Sequence, residues 1–241
     1  MQHLVKRTYD DEPLHVAGLA DEIAYRLRTE ILDGKLPGGT RLPHEELAAR
    51  FRVSRTPIRE ALRQLQALNL LIMVPNRGAT VRVPSRAEVK EAYELRAELE
   101  GFACELVCGR ASDAQLRELD ERHGTLCATV AAAHQLPEHQ LDAAISIGND
   151  AFHGWIHRIA RNGPLADSIA RLQGLFPRNS VWRAIAHDPA ALRRMNVDEH
   201  ASIVASLRAR RAKAARKAMH DHVHGAGETW LAHLDEQGFW S

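Results

Sequence analysis

The sequence predicts a mostly α-helical protein in two parts, three helices with a β-hairpin and then an antiparallel bundle of about six helices. Three observations support this prediction. Apolar residues recur at helical spacing through most of the chain. Two β-rich runs, at 70–74 and 79–83, are joined by a Pro-Asn-Arg-Gly turn. Beyond position 85 no strand pattern is found, and capping signals separate the helical segments.

Length and composition allow two domains, because 241 residues with a hydrophobic share of 45% can build two cores without disulfides. Residues 1–13 are expected to form a flexible arm, residues 14–84 a first domain and residues 85–238 a second. No run approaches the roughly 20 apolar residues of a membrane span, so we expect a cytoplasmic protein with no membrane partner. The three cysteines do not make an even disulfide framework. Cys104 and Cys108 are expected to be buried thiols, with a redox or metal role as the alternative.

The first domain opens with two predicted helices. The first runs from about Leu19 to Asp33 and places three apolar residues on one face, Ile23, Leu27 and Ile31. A Pro-Gly-Gly turn separates it from a second, shorter helix that begins at Pro43 and His44. Leu47 belongs to the buried side of this second helix.

The most informative segment runs from Val53 to Leu62 and reads Val-Ser-Arg-Thr-Pro-Ile-Arg-Glu-Ala-Leu. A helix over about 54–68 places polar side chains on one face, Arg55, Thr56 and Arg59. Its opposite face carries apolar side chains for a core, Ile58, Leu62 and Leu65. A recognition helix in the major groove of DNA needs this division. With the hairpin that follows, the pattern is typical of a winged helix-turn-helix.

Capping residues define the ends of this helix, and further arginines extend its positively charged surface. Ser54 is expected to cap the first turn, and Asn69 to adopt the left-handed conformation that ends the helix. Arg50 and Arg63 continue a basic stripe in which Glu60 is the one acidic residue between positions 50 and 63. Such a stripe is expected to contact DNA phosphates.

The second domain carries helix signals throughout. Capping boxes at Ser85 and Ser112 open its first two helices. The first of these is predicted to bury one apolar side, formed by Val89, Tyr93, Leu99, Phe102 and Leu106. Pro177 is expected to break a fourth element that runs over about 165–186, and Asp188 to start a fifth helix. The last helix is predicted from about Ala212 to Glu236.

Three of the fourteen histidines fall among apolar neighbours, one on each of three helices: His153, His200 and His222. The simplest interpretation of each is a hydrogen-bonded core residue. Together they suggest a metal site, because imidazole is the commonest metal-binding side chain and bundle interiors build such sites from facing helices. Either Asn149 or Asp150 would supply an oxygen ligand.

Residues 14–83 resemble the DNA-binding domain of the GntR superfamily of bacterial transcription regulators. The resemblance is carried by Leu47-Ala48, by the segment from Val53 to Leu62, and by Asn76-Arg77-Gly78-Ala79-Thr80-Val81. Residues 86–236 resemble the all-helical FCD effector domain of the FadR-like branch. That resemblance is carried by four matches in the family's order: Leu95-Arg96-x-x-Leu99-Glu100, Asn149-x-x-Phe152-His153, Glu199-His200-x-x-Ile203 and Met219-x-x-His222.

The resemblance implies a dimeric regulator, in most members a repressor, that leaves an inverted-repeat DNA operator when a small organic acid binds. It implies that Arg55, Thr56, Arg59, Arg77 and Gly78 lie at the DNA. It also implies that Asn149, His153, His200 and His222 bind a divalent metal, zinc foremost with nickel or manganese as alternatives. Arg96 would line the pocket of the carboxylate effector, although a salt bridge to Glu100 on the same helix is the alternative.

The chain departs from the family pattern at two places. Many members carry Asp where this chain has Asn149, and His44 and Glu45 replace the acidic or basic residues often found in the second helix. Two other functions remain open. Three histidines with an open position would suit a metal-dependent hydrolase fused to a DNA-binding module, although no well-placed general base is found. A DNA-binding architectural protein without a ligand is the other alternative, and an enzyme is not expected.

Overall fold

The computed structural model describes residues 16–75, 77–175, 180–185 and 188–240. The chain divides into two compact units, one comprising Met1–Ile31 and Leu36–Arg82, the other Leu32–Lys35 and Val83–Ser241. The sequence placed the boundary two residues later, after Pro84. The predicted flexible arm, residues 1–13, lies outside the described residues.

The first unit contains three helices and three short strands in the predicted order. The helices are α1 (Val16–Leu32), α2 (His44–Phe51) and α3 (Arg55–Ala67). The strands are β1 (Arg41–Pro43), β2 (Leu71–Val74) and β3 (Gly78–Val81). The winged helix-turn-helix predicted from the sequence is therefore present.

The prediction of a two-stranded hairpin was incomplete, because β1 adds a third strand. The sheet has the order β1-β3-β2, and both pairings are antiparallel. Strand β1 has three residues and ends in a proline, which lacks a backbone N–H, so nothing in its sequence indicates a strand. It forms because Pro43 lies opposite Gly78 of the wing.

The core of the first unit matches the predicted apolar faces. Leu27, Ile58 and Leu62 are fully buried, and α3 presents its other face to solvent. Asn69 adopts the predicted left-handed conformation with φ of 58°. Ser54 occupies the N-cap position with extended backbone, but its side chain makes no capping hydrogen bond, so that detail of the prediction was wrong.

The second unit is helical over its described residues. Its helices are α4 (Arg86–Arg110), α5 (Asp113–Ala131), α6 (Glu138–Ala160), α7 (Gly163–Gln173), α8 (Ser180–Ile185), α9 (Pro189–Arg193), α10 (Glu199–Arg208) and α11 (Ala212–Glu236). Both predicted capping boxes are formed, at Ser85 with Glu88 and at Ser112 with Gln115. Among the described helices, none is long and apolar enough to cross a membrane.

Two predicted helices of the second unit are divided. The element predicted over about 165–186 is α7 followed by α8, and Pro177, the expected cause of the break, lies outside the described residues. The helix predicted to start at Asp188 does so, with the Asp188 carboxylate accepting hydrogen bonds from the backbone N–H groups of Ala190 and Ala191. It then contains a π-helical segment, Arg194–Asp198, before α10. One extra residue in that turn is not visible in hydrophobic spacing.

The buried side of α4 was predicted only in part. Val89 and Tyr93 are buried, and Leu99 and Leu106 pack against the core while partly buried, as expected. Phe102 is 37% exposed, whereas Glu100 is fully buried. The error arose because α4 has apolar residues on two sides, and tertiary packing selects the side that also carries Glu100, Cys104 and Val107. The free thiols of Cys104 and Cys108 are buried as expected.

Helices α4 and α11, each of 25 residues, pack antiparallel along their lengths. Arg86 near the start of α4 binds Asp235 near the end of α11, and Glu98 binds Arg216 near the start of α11. Between these ion pairs, Gly227 lies against Tyr93. Since His222 is on α11 and Glu100 on α4, this close pairing positions much of the polar centre described below.

Substituting Gly227 by Ala tests the packing of these two helices. A Cβ at position 227 would lie 2.6 Å from the Tyr93 Cβ, so the helices must separate. We expect Gly227→Ala to lower the free energy of unfolding by about 1–3 kcal/mol. The matched control is Gly225→Ala on the same helix, where an added Cβ meets nothing within 4 Å. The control should raise stability by up to about 1 kcal/mol. Equal effects of the two substitutions in urea denaturation would contradict this packing.

Candidate functional site

The exposed face of α3 carries the polar residues predicted to read DNA. Arg55, Thr56 and Arg59 are exposed, while Ile58 and Leu62 are buried on the opposite side. Arg55 and Arg59 lie one helical turn apart, so both guanidinium groups project from the same surface. This arrangement suits a helix that inserts into the major groove.

A surface cleft of about 570 Å³ lies beside the start of α3. Its lining comes from α2, α3 and the three strands, and includes Arg41, His44, Glu45, Arg55, Arg77 and Thr80. The cleft therefore brings a wing residue, Arg77, and a recognition-helix residue, Arg55, to the two sides of one concave surface. Sequence reasoning did not predict Arg41 here, because β1 was not recognised as a strand.

Several of the predicted DNA-contacting arginines have acidic partners in the DNA-free protein. Arg55 Nη2 lies 2.6 Å from Glu45 Oε1, and both side chains are exposed. Arg50 makes a two-pronged ion pair with Glu30 of α1. Arg63 Nη1 lies 3.7 Å from Glu60. Surface pairs of this kind contribute only about 0–1 kcal/mol, so a phosphate can compete for each arginine.

Two further residues of this unit are constrained by their surroundings, His44 electrostatically and Gly78 sterically. Burial lowers the pKa of His44, and the nearby positive charges of Arg59 and Arg55 lower it further. Gly78 is buried with φ of 124°, and a Cβ there would overlap the carbonyl oxygen of Leu42. Glycine is needed at position 78 for the pairing of β1 with β3, while the adjacent Arg77 remains exposed.

The second unit brings together the three histidines selected from the sequence. One ring nitrogen each of His153, His200 and His222 lies within 4.8 Å of the other two, and all three side chains are buried. The residues come from α6, α10 and α11. His220 and His224, the neighbours of His222 on α11, are only partly buried and stack on each other.

The distance between two of these rings suits a shared metal ion. His200 Nε2 and His222 Nε2 lie 3.1 Å apart. Two nitrogens bound to one ion at about 2.0–2.1 Å each would be separated by about 3.0–3.4 Å. The donor set present therefore fits a divalent metal that prefers imidazole.

Two carboxylates form hydrogen bonds with two of these rings, at the ring nitrogen that faces away from the shared centre. His153 Nδ1 lies 2.7 Å from Glu100 Oε2, and His222 Nδ1 lies 2.7 Å from Glu199 Oε2. Each Nδ1–H is thus donated to a carboxylate, which leaves Nε2 unprotonated toward the centre. Carboxylate–histidine pairs of this kind fix the tautomer of metal-binding imidazoles.

Neither carboxylate was predicted to bind a histidine. Glu199 directly precedes His200, so its side chain points about 100° away from His200 around the helix, and it thereby reaches His222 on α11. Glu100 was considered only as an ion-pair partner of Arg96. The spacing of Arg96 and Glu100 was the available signal, but the partner from α6 could be known only from the fold.

The choice between Asn149 and Asp150 as oxygen donor now has a structural indication. Asn149 Oδ1 is buried and has no hydrogen-bond partner among the described residues, whereas Asp150 is exposed. Buried carboxamide oxygens normally accept a hydrogen bond, so one without a donor, one turn before His153, is consistent with an oxygen that binds a cation. This observation favours Asn149.

The electrostatics keep His153 and His200 neutral, which is the form of imidazole that binds metals. Burial lowers the pKa of His153 to about 4, although Glu100 opposes the shift. Burial also holds the pKa of His200 well below its usual value, and the neighbouring His222 and His153 add to this effect. Burial alone would raise the pKa of Glu100, but Arg96 and His153 together hold it well below its usual range. The centre therefore contains the ionised carboxylate of Glu100 beside the neutral rings of His153 and His200.

Arg96 lies at the edge of this centre. Its guanidinium binds Glu100 Oε1, with Nη2 at 2.8 Å, and lies over the Tyr93 ring at 4.9 Å. The salt bridge considered from the sequence is thus present. His157, one turn beyond His153, approaches the other oxygen of Glu100 to 3.4 Å and was not predicted. Glu100, His153 and His157 form a second, overlapping group that could hold a cation.

Comparison with known proteins identifies both units. Residues 19–81 match the model described as bacterial regulatory proteins, gntR family, and residues 91–225 match the FCD domain. The chain is 26% identical over 218 residues to the HTH-type transcriptional repressor RspR of Escherichia coli K12, covering 89% of this chain and 90% of that protein. It is 37% identical over 97 residues to the gluconate operon transcriptional repressor of Bacillus subtilis, 40% of each chain.

A solved structure gives the same result. Escherichia coli McbR/YncC superposes with a TM-score of 0.69 at 25% identity, over 91% of this chain and 98% of that one. The match extends through the winged helix-turn-helix and the helical bundle. With both domain models matched in the expected order, this chain belongs to the GntR family of bacterial transcription regulators and carries an FCD effector domain.

Proposed function

We propose that this regulator is a repressor that binds an inverted-repeat operator as a homodimer and leaves it when a small carboxylate binds at a divalent-metal site in the FCD domain. The arrangement of the buried centre supports the sensing half of the proposal: three buried imidazoles converge, and two of them are hydrogen-bonded to carboxylates through Nδ1. Two relatives are named as transcriptional repressors, which supports repression over activation. A hydrolase is not supported, because the family regulates transcription.

Operator reading is assigned to the exposed face of α3 and to the wing. Arg55, Thr56 and Arg59 would contact base edges, and Arg77 with the backbone at Gly78 would follow the minor groove. Arg50 and Arg63 would contact phosphates after exchanging their acidic partners for DNA. One bidentate contact discriminates between bases by about 1–3 kcal/mol, which is too little to select one site in a genome. Two α3 helices in a two-fold dimer, reading half-sites about 34 Å apart, would supply the required selectivity.

Replacing Arg59 and Arg63 separately distinguishes base reading from phosphate contact. Arg59→Ala should weaken binding to the selected operator by about 1–3 kcal/mol and bind unrelated DNA nearly as before. Arg63→Ala, the matched control on the same helix, should weaken both and reduce the dependence of log K on log salt by about 1. The measurement is fluorescence anisotropy with an operator found by selection from random DNA. Unchanged selectivity in Arg59→Ala would exclude this register of α3.

Glu45 should weaken DNA binding by pairing with Arg55. The 2.6 Å ion pair must open before Arg55 can bind DNA, and the remaining carboxylate would face phosphates. We expect Glu45→Gln to tighten binding to any duplex by up to about 1 kcal/mol, with a steeper salt dependence. Glu46→Gln removes the same charge from the next position and leaves the Arg55 pair intact. If both substitutions tightened DNA binding equally, the loss of one negative charge, and not the opening of the Glu45–Arg55 ion pair, would explain the effect.

The metal would be held by the Nε2 atoms of His153, His200 and His222, with Asn149 as an oxygen ligand. Zinc fits this set best, because it prefers imidazole nitrogen in small coordination shells, while nickel and manganese are alternatives. A bound divalent ion would supply the positive charge that attracts a carboxylate effector. Because neutral imidazole and carboxamide ligands leave the charge of a divalent ion uncompensated, binding of one anionic ligand to the ion would be favourable.

Arg96 is assigned to effector binding. Its guanidinium would either leave Glu100 for the effector carboxylate or bind both carboxylates at once. Its guanidinium now binds Glu100 Oε1 and is largely buried, with a side chain 15% exposed. A carboxylate entering the centre could accept from the remaining N–H donors of Arg96. Since Arg96 and Glu100 are both on α4, effector binding would act on the first helix of the FCD domain. The effector can shift the DNA-binding equilibrium only by its difference in affinity for the two states.

Metal analysis with two neighbouring histidine variants tests this centre. The parent protein should retain a stoichiometric divalent ion after dialysis, and His222→Ala should lose it. His224→Ala, two residues away and outside the centre, should behave like the parent. In a thermal-shift screen of small carboxylic acids, a hit at 100 times its Kd should stabilise the metal-loaded parent by about 2.7 kcal/mol. Retention of the ion by His222→Ala, or hits that are unaffected by the substitution, would contradict the proposal.

A further inference from the structure

The cleft beside α3 contains one arginine that has no role in the operator reading proposed above. Arg41 is exposed on the edge strand β1, and it lines this cleft together with Arg55 of α3 and Arg77 of the wing. No side-chain hydrogen bond or ion pair joins Arg41 to another residue that the structure describes. Arg50, Arg55 and Arg63, by contrast, each have a glutamate partner. The guanidinium of Arg41 is therefore available to a partner from outside the chain.

The strand register places Arg41 beside neutral side chains on the outer face of the sheet. Arg41 pairs with Thr80 on β3, and Thr80 pairs with Ile72 on β2, so these three side chains form one row across the sheet. In the next row Leu42 and Ala79 are buried, so the row of Arg41 points to the opposite, outer face. A hydroxyl and an aliphatic side chain thus follow Arg41 along the row, and neither neutralises its charge.

The charge of the cleft favours an anion. Arg41, Arg55 and Arg77 line it together with two carboxylates, Glu45 and Glu46, so the arginines outnumber the glutamates. Glu45 is already engaged by Arg55, which leaves Arg41 and Arg77 as the arginines of the cleft without an acidic partner among the described residues. A guanidinium suits a phosphate, because its planar fork can donate two parallel hydrogen bonds to phosphate oxygens.

The architecture of a duplex brings one sugar–phosphate strand to this cleft. A major groove and the adjacent minor groove are separated by a single sugar–phosphate strand. In the operator complex proposed above, α3 occupies the major groove and the wing follows the minor groove. The strand between the grooves must therefore cross the surface between α3 and the wing. That surface is the cleft, because residues of both elements line it.

We propose that Arg41 binds a DNA phosphate in this cleft, on the strand that separates the two grooves. Its guanidinium donates hydrogen bonds to the non-bridging oxygens of one phosphate in each half-site. The contact fixes the position of α3 and the wing along the duplex, and it carries no base preference of its own. This role rests on the operator complex proposed above and adds to it a backbone contact from β1.

Two substitutions of Arg41 test for a phosphate contact. Arg41→Ala should weaken binding to the operator and to unrelated duplexes alike, by about tenfold per protomer. It should also reduce the dependence of log K on log salt by about 1 per protomer. Arg41→Lys keeps the charge and should retain most of the salt dependence. The measurement is fluorescence anisotropy over a series of salt concentrations, with circular dichroism to establish that each variant is folded.

Operators that carry a single neutral methylphosphonate locate the phosphate. In the parent protein, neutralising one position on the strand between the two grooves should weaken binding by about tenfold. In Arg41→Ala the same modification should have little further effect, because the contact is already lost. Arg63→Ala is the matched control. It should lose sensitivity at a different phosphate, beside α3, and keep the parent's sensitivity at the position assigned to Arg41.

A folded Arg41→Ala with the parent's affinity and salt dependence would overturn this assignment. An unchanged methylphosphonate map in that variant would also overturn it, and would leave Arg41 as a charge that discourages association of the exposed edge strand. If Arg59→Ala kept the parent's selectivity, the proposed reading of bases by α3 would fail. The methylphosphonate map would still decide whether Arg41 binds the DNA backbone.

Discussion

The charge on Glu100 is the constraint around which the FCD domain is arranged. This carboxylate is fully buried, and an unpaired ion in that position would cost several kcal/mol. It is tolerated because Arg96 on α4 binds one oxygen, and His153 on α6 binds the other. The same interactions that satisfy the charge fix the relative positions of α4 and α6. They also orient the imidazole of His153 toward His200 and His222, where the metal site is proposed.

The pairing of α4 with α11 adds the other half of the centre. Gly227 allows α11 to approach Tyr93 closely, and ion pairs near both ends set the register of the two helices. His222 on α11 is then brought within reach of His200 on α10 and of Glu199. Two of the three imidazoles consequently have a carboxylate on Nδ1.

The DNA-binding unit follows a different principle, because its functional charges are exposed and weakly paired. Glu30, Glu45 and Glu60 each neutralise one arginine near the predicted DNA surface. Such pairs cost little to break, so they limit non-specific attraction without preventing operator binding. The near-zero net charge of the whole chain is consistent with this balance. Affinity for DNA is then expected to depend strongly on the matched geometry of two half-sites.

Local sequence was sufficient for the features that depend on residues close together in the chain. The recognition helix, the capping boxes at Ser85 and Ser112, and the left-handed Asn69 follow from spacing and intrinsic conformational preference. The inward positions of His153, His200 and His222 follow from helical periodicity in the same way. Tertiary structure alone decided the third strand of the sheet, the burial of Glu100 and exposure of Phe102 on α4, and the pairing of carboxylates with the imidazoles. These depend on pairing between segments distant in sequence, such as Pro43 with Gly78 and Glu100 with His153, and no local period encodes which partner arrives.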